Sequence, residues 1–153
     1  MIAFYSGNIS DIEHFLKVYA YAALIGQAEG LDEVTQNTLE LAAIVHDISC
    51  PLCREKYGNT QGQWQEAESA PLLRTFMAEF SIPSTTLERV IELVCHHHTV
   101  TNVLGIDHQI LLEADFLVNA AEMGLPTENI RSFRDRIAKT TTGKNLLNSV
   151  YQI

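Results

Sequence analysis

The chain has 153 residues, of which 46% are hydrophobic, enough for one domain with a substantial core. Nineteen acidic against ten basic side chains give a net charge of −9, which opposes the phosphate attraction behind nonspecific nucleic-acid binding. No stretch approaches the roughly 18 apolar residues of a membrane span, the opening MIAFYSGNIS carries no signal pattern, and three cysteines cannot all pair, so a soluble cytoplasmic protein bound neither to membrane nor to a nucleic-acid polymer is expected.

Helical patterning runs from end to end without period-2 strand runs or Asn-Gly hairpin signals, so the expected class is all-α. Ser10 with Glu13 forms a capping-box pattern that opens a first helix running to about Glu29 and stopping at Gly30. Asp32 is the expected N-cap of a second helix, from about Glu33 to Asp47. Cys50 to Gln61, with Pro51, Gly58 and Asn59, reads as the longest irregular stretch, the kind of loop that often serves function. A third helical region covers roughly Gln63 to Phe80, where Pro71 either kinks it or sits in the first turn of a segment capped by Ser69. Ser84 or Thr85, with Glu88, opens a fourth helix that ends in His96-His97-His98. A fifth starts near Asp107 and stops at Gly124, and Thr127 to about Thr140 and Thr142 to Tyr151 supply two more. With no repeat or linker, residues 1–153 are read as one domain, its motif-bearing core at about 9–124 and its C-terminal helices at about 127–151.

Polar residues stand where apolar ones belong. The stretch IEHFLKVYAYAALIGQA has only Glu13, His14 and Lys17 as polar residues before Gln27, and a helix apolar nearly all round is buried. Five apolar residues from Leu41 to Val45 run directly into His46 and Asp47, and ILLEADFLVNAA surrounds Glu113 and Asp115 with apolar side chains. An ionised carboxylate in such a place costs several kcal/mol unless it is paired or bound to a cation. Asp47 and Asp115 therefore need partners, and His14 and His46 are candidate neighbours. Imidazoles and carboxylates converging from different helices suit a divalent transition metal such as Mn, Fe, Co, Ni or Zn.

The ordered set of His14, His46-Asp47, the histidines after the fourth helix and Asp115, within the phrases DIEHFLKVYAYA, LAAIVHDI, HHHT and LLEADFLV, resembles the HD-domain superfamily of metal-dependent phosphohydrolases. The resemblance spans about Ile9 to Gly124. It implies an all-α bundle in which His14, His46, Asp47 and Asp115 hold one or two divalent metal ions, with Asp47 also near the water that attacks phosphorus. The histidines of the HHHT phrase are implied to be further metal ligands or phosphate contacts. The implied substrate is a small phosphorylated molecule, a nucleotide or related phosphate ester. Ser49 stands where the family often has glycine, and WQEAESA stands where some relatives have another histidine, with Glu66 or Glu68 as acidic substitutes.

Successive helical residues are turned by about 100°, so His96, His97 and His98 cannot all face one pocket; His97 and then His96 are taken as site residues. His108 reads as solvated. Arg54 and Lys56 are the nearest cations in sequence to His46-Asp47 and are candidates, with Glu66, to line the substrate site. Trp64 reads as packing the loop down. Cys50 and Cys53 read as two thiols in a loop, because only Cys95 remains to complete a zinc site and no βαβ pattern surrounds them. Two other classes fit the same residues: a noncatalytic metal-containing ligand- or partner-binding HD module, and a di-iron oxygen-using protein. The chain is compatible with a monomer or a homodimer.

Overall fold

Asn8 opens the first helix, its side chain accepting a hydrogen bond from the Asp11 amide at 3.2 Å. The Ser10–Glu13 capping box expected there does not form, because the helix has already begun at Ile9 and Ser10 lies inside it. The computed structural model describes residues 1–153 and contains eight helices and no strand: α1 (Ile9–Ala28), α2 (Glu33–Val45), α3 (Cys50–Tyr57), α4 (Gly62–Met77), α5 (Ser84–His96), α6 (Ile106–Glu122), α7 (Thr127–Arg136) and α8 (Thr141–Tyr151). Asp32 caps α2 as expected, accepting from the Val34 and Thr35 amides.

The stretch read as irregular is largely helix. Pro51 falls in the first turn of α3, where a missing N–H breaks no bond, and Gly58, at φ 69°, ends the helix in the left-handed conformation. The longest connection is instead residues 97–105, which carries His97 and His98. Pro71 lies inside α4 on an exposed face.

Helix α1 lies against both α2 and α6, α2 also meets α5, and α4 covers α5. Ala22, Ala42 and Ala43 are fully buried among Val18, Leu39, Ile110 and Leu117. Small side chains at these contacts bring the helix backbones close together, which is what lets polar groups from three helices meet. Helix α8 packs on α6 and α1, and α7 packs on α8 with Phe133 stacked on Phe116 of α6.

A buried carboxylate fastens that C-terminal unit. Glu113, fully buried on α6, accepts hydrogen bonds from Gln109 Nε2 (2.7 Å), the amides of Lys139 (2.7 Å) and Thr140 (3.1 Å), and the Thr140 hydroxyl. A Cβ on Gly143 would collide with Glu113 Oε2 and crowd the Thr140 hydroxyl, so only glycine leaves room for this approach. Glu113→Leu should strand the two backbone amides and cost about 3 kcal/mol, lowering the melting temperature by ~10 °C. A melting temperature within a degree or two of the parent would contradict this role.

Candidate metal centre

The histidines at the ends of α2 and α5 are set by the same local device. His46 and His97 are the C-cap residues of their helices, and each ring folds back so that Nδ1 meets the carbonyl three residues earlier: Ala43 O at 2.8 Å and Val94 O at 2.7 Å. A carbonyl can only accept, so Nδ1 carries the proton in both rings and Nε2 presents a lone pair. His14, in the second turn of α1, directs Nδ1 at Glu122 Oε2 (2.8 Å), and Lys17 Nζ holds the other Glu122 oxygen at 2.7 Å. Its Nε2 is likewise free for a cation.

These lone pairs converge on two carboxylates. His14 Nε2 lies 3.1 Å from His46 Nε2, 3.5 Å from Asp47 Oδ2 and 3.4 Å from Asp115 Oδ1. His46 Nε2 lies 3.6 Å from each of the same two oxygens. Two imidazole lone pairs at 3.1 Å repel each other unless a positive charge lies between them. Separations of this size match the edges of a coordination polyhedron around a cation bound at about 2.1 Å. The donor set therefore fits a divalent metal on chemistry and on spacing.

Asp47 faces two ways. While Oδ2 meets His14 and His46, Oδ1 lies 3.5 Å from His97 Nε2, a fully buried nitrogen without any hydrogen-bond partner. His14, His46 and Asp47 form one potential metal group, and Asp47, His97 and His98 form a second, each with its ligand atoms within 4.8 Å of one another. The backbone beside Asp47 is held as well: Tyr5 Oη donates to the Asp47 carbonyl at 2.6 Å. Asn119 Nδ2 donates to Asp115 Oδ1 at 2.8 Å.

Without a cation, protons compensate the carboxylates. Burial disfavours the charged form of His14, but contact with Asp115 and the charge of Asp47 outweigh it and raise the pKa to about 9. His97 is raised in the same way, burial being overcome by Asp47. Burial also opposes ionisation of Asp47 and Asp115, yet the surrounding imidazoles hold both well below the ordinary carboxylate range. His98, which is exposed towards the cavity, moves the other way, down to about 4, because desolvation by the surrounding protein and then the neighbouring His97 disfavour a second positive charge.

The cluster forms the floor of a cavity of about 480 Å³ whose wall includes Arg54, Cys50, Gln65 and His98. A larger cavity of about 620 Å³, bordered by Tyr19, Glu40 and Ile82, contains no histidine and lies apart from this chemistry.

The structure brings together His14, His46, Asp47, Asp115 and His97, and places Arg54 on the cavity wall beside Asp11, with which it forms an ion pair. His96 is not brought in. It is exposed, and its carbonyl accepts from His108 Nε2 at 3.0 Å; His98, two residues on and past the end of α5, lines the cavity instead. Lys56 turns outward to Glu68 at 2.5 Å, and Glu66 accepts from the Thr99 hydroxyl at 3.0 Å, so neither lines the cavity. The residue of α4 that does is Gln65. His108 is buried, not solvated, with Nδ1 taking the Leu104 amide. Cys50 and Cys53 are buried residues of α3, not loop thiols, and burial raises both pKa values, keeping the thiols protonated. Trp64 stacks on Tyr57 at 4.3 Å between ring centroids, a packing role.

Glu122 and Tyr5 were missed in the sequence. Glu122 stands two turns beyond Asp115 on α6, so its helical phase was a readable signal; nothing in MIAFYSGNIS distinguishes Tyr5.

Residues 11–128 match the HD domain family, and the chain belongs to it. The family consists in general of metal-dependent hydrolases, HD domains bind divalent metals, and the His and Asp group found here could hold one. No curated protein and no solved structure matches the chain. No helix is long and apolar enough to cross a membrane.

The pKa shifts define a pH dependence for chelator-treated protein. His14, raised in the folded state, contributes stability that is full below pH 6.5 and lost as the pH rises through about 9. Asp47 and Asp115, lowered in the folded state, contribute stability present above 3.8 and lost at lower pH. The melting temperature of chelated protein should fall between pH 6.5 and 9, whereas in metal-loaded protein the cation replaces those protons and the curve should stay nearly flat. Parallel curves for the two forms would contradict this charge balance.

Proposed function

We propose that the protein is a metal-dependent phosphohydrolase acting on a small phosphate ester, with nucleotides and related esters as the leading substrate class. The observation that carries this reading is the convergence of imidazole Nε2 atoms and two carboxylates at the floor of an open cavity with a guanidinium on its wall. His14, His46, Asp47 and Asp115 would hold the cation, and mixed imidazole and carboxylate donors suit Mn, Fe, Co, Ni or Zn. Its contribution is Lewis acidity, which makes water nucleophilic at neutral pH and neutralises charge on the phosphoryl oxygens.

The remaining work falls to the protein. The Asp47 side chain is 21% exposed against 9% for Asp115, so Asp47 is the carboxylate that water in the cavity can reach. Ionised over the neutral pH range, it accepts a hydrogen bond from the attacking water and directs the oxygen at phosphorus. Arg54 offers a planar fork to the phosphate oxygens, exchanging its pairing with Asp11 for the ligand. His98, uncharged at neutral pH, can donate a hydrogen bond to the ester without a charge to repel the cation.

A second reading rests on the sharing of Asp47 between two metal groups, which also suits two irons and oxygen chemistry. An iron-dependent visible absorption band would favour it.

Metal-loaded protein should release phosphate from phosphomonoesters. Asp47→Ala should lose at least ~100-fold in kcat/KM, and Arg54→Ala should raise KM about 10-fold with kcat little changed. The absence of turnover on a broad panel of phosphomonoesters, diesters and pyrophosphates, with each of the five metals, would refute the proposal.

A further inference from the structure

Charge is unevenly distributed along the chain. Residues 125–153 hold five of the ten basic side chains and only two of the nineteen acidic ones, so the C-terminal unit is locally cationic on an otherwise strongly acidic protein. Two of these cations, Arg136 at the end of α7 and Lys139 just beyond it, line a cavity of about 560 Å³ whose opposite wall is the 97–105 connection and the start of α6. No acidic residue lines it. Arg136 makes no ion pair or side-chain hydrogen bond, and Lys139 Nζ touches only the Arg136 carbonyl at 3.3 Å, leaving two of its three donors free.

The remainder of the lining indicates what else a ligand must offer. Val100, Val103, Ile106 and Ile137 present an apolar surface. Gln109 is only 5% exposed and commits its amide hydrogens to Glu113 Oε1 (2.7 Å) and Ile137 O (3.1 Å). Its Oε1 has no partner in the protein and can only accept, and with Asn102 it adds polar character to an otherwise apolar wall.

We propose that this cavity is a second binding site, separate from the metal centre, for a small organic phosphate with hydroxyl groups, of the size of a mononucleotide or sugar phosphate. The phosphate lies between Arg136 and Lys139, a hydroxyl donates to Gln109 Oε1, and the body of the ligand covers the apolar wall. The volume is within the usual range for small-molecule sites. No residue lines both this cavity and the metal cavity. The 97–105 connection joins the two, since it leads directly from His97 and His98 into the wall of the second site, so occupancy there bears on how those histidines are held.

The test is amide NMR mapping of the chelator-treated 153-residue chain titrated with AMP and, separately, with inorganic phosphate. AMP should saturate with shifts centred on residues 100–109 and 136–140, and phosphate should perturb the same amides more weakly. The Arg136→Ala/Lys139→Ala double variant, altered only at exposed side chains, should retain its fold by melting temperature and weaken at least ~10-fold the AMP binding read from residues 100–109 and 136–140, while Arg54→Ala, which acts at the metal cavity, should leave the binding read at those residues unchanged. Shifts confined to the metal cavity, binding lost in Arg54→Ala but retained in the double variant, or no saturable shift with either probe at about 10 mM would overturn the proposal. Saturation by phosphate with AMP excluded would overturn the assignment of an organic ligand.

Discussion

The interaction on which the structure depends is the convergence of like-behaving groups around Asp47. Two backbone carbonyls and one carboxylate fix the Nδ1 protons of three histidines, which forces three Nε2 lone pairs towards two carboxylates, Asp115 buried and Asp47 partly open to the cavity. Such a collection of acceptors is unstable in a protein interior unless positive charge enters it. In the cation-free chain that charge is supplied by protons, hence the raised His14 and His97 and the lowered Asp47 and Asp115. A divalent cation meets the same need without occupying the lone pairs with hydrogen, and leaves a Lewis acid at the foot of a cavity.

The helices are arranged to sustain this. Small buried side chains on α1 and α2 let their backbones approach, so His14 and His46 meet although they are 32 residues apart. On α6, Asp115 and Glu113 are separated by two positions and about 200° of helical rotation, so one carboxylate serves the metal centre while the other fastens α7 and α8. Outer partners complete the frame: Glu122 with Lys17 behind His14, Asn119 beside Asp115, and Tyr5 on the carbonyl of Asp47. Partners of this kind orient ligands and tune their basicity, so substitutions here should act on the cation without touching it.

Much of this could be read in the sequence, for reasons that particular residues make plain. Polar groups embedded in apolar helical phrases, His14 in DIEHFLKVYAYA and Asp115 in LLEADFLV, announce themselves because burial without compensation is so unfavourable. What failed were matters of direction. Whether His96 or His98 accompanies His97 depends on where α5 ends and the chain turns, and local pattern does not encode that. Of the two cations nearest in sequence to His46-Asp47, Arg54 reaches the cavity and Lys56, two residues on, does not; on α4 one residue of helical phase separates Gln65, which lines it, from Glu66, which does not. The Cys50 segment was misread because proline and glycine were counted as loop signals, when their positions are those of a helix start and a helix end.

The most direct measurement is elemental analysis of protein purified without chelator or added metal, beside a His46→Ala/Asp47→Ala double variant prepared identically. About one or two transition-metal ions per chain, absent from the variant, is the result expected of a cluster built to hold a cation. No metal in the parent protein, together with failure to take up any of the five candidate ions after dialysis, would contradict it, since the converging lone pairs would then have to be satisfied by protons alone.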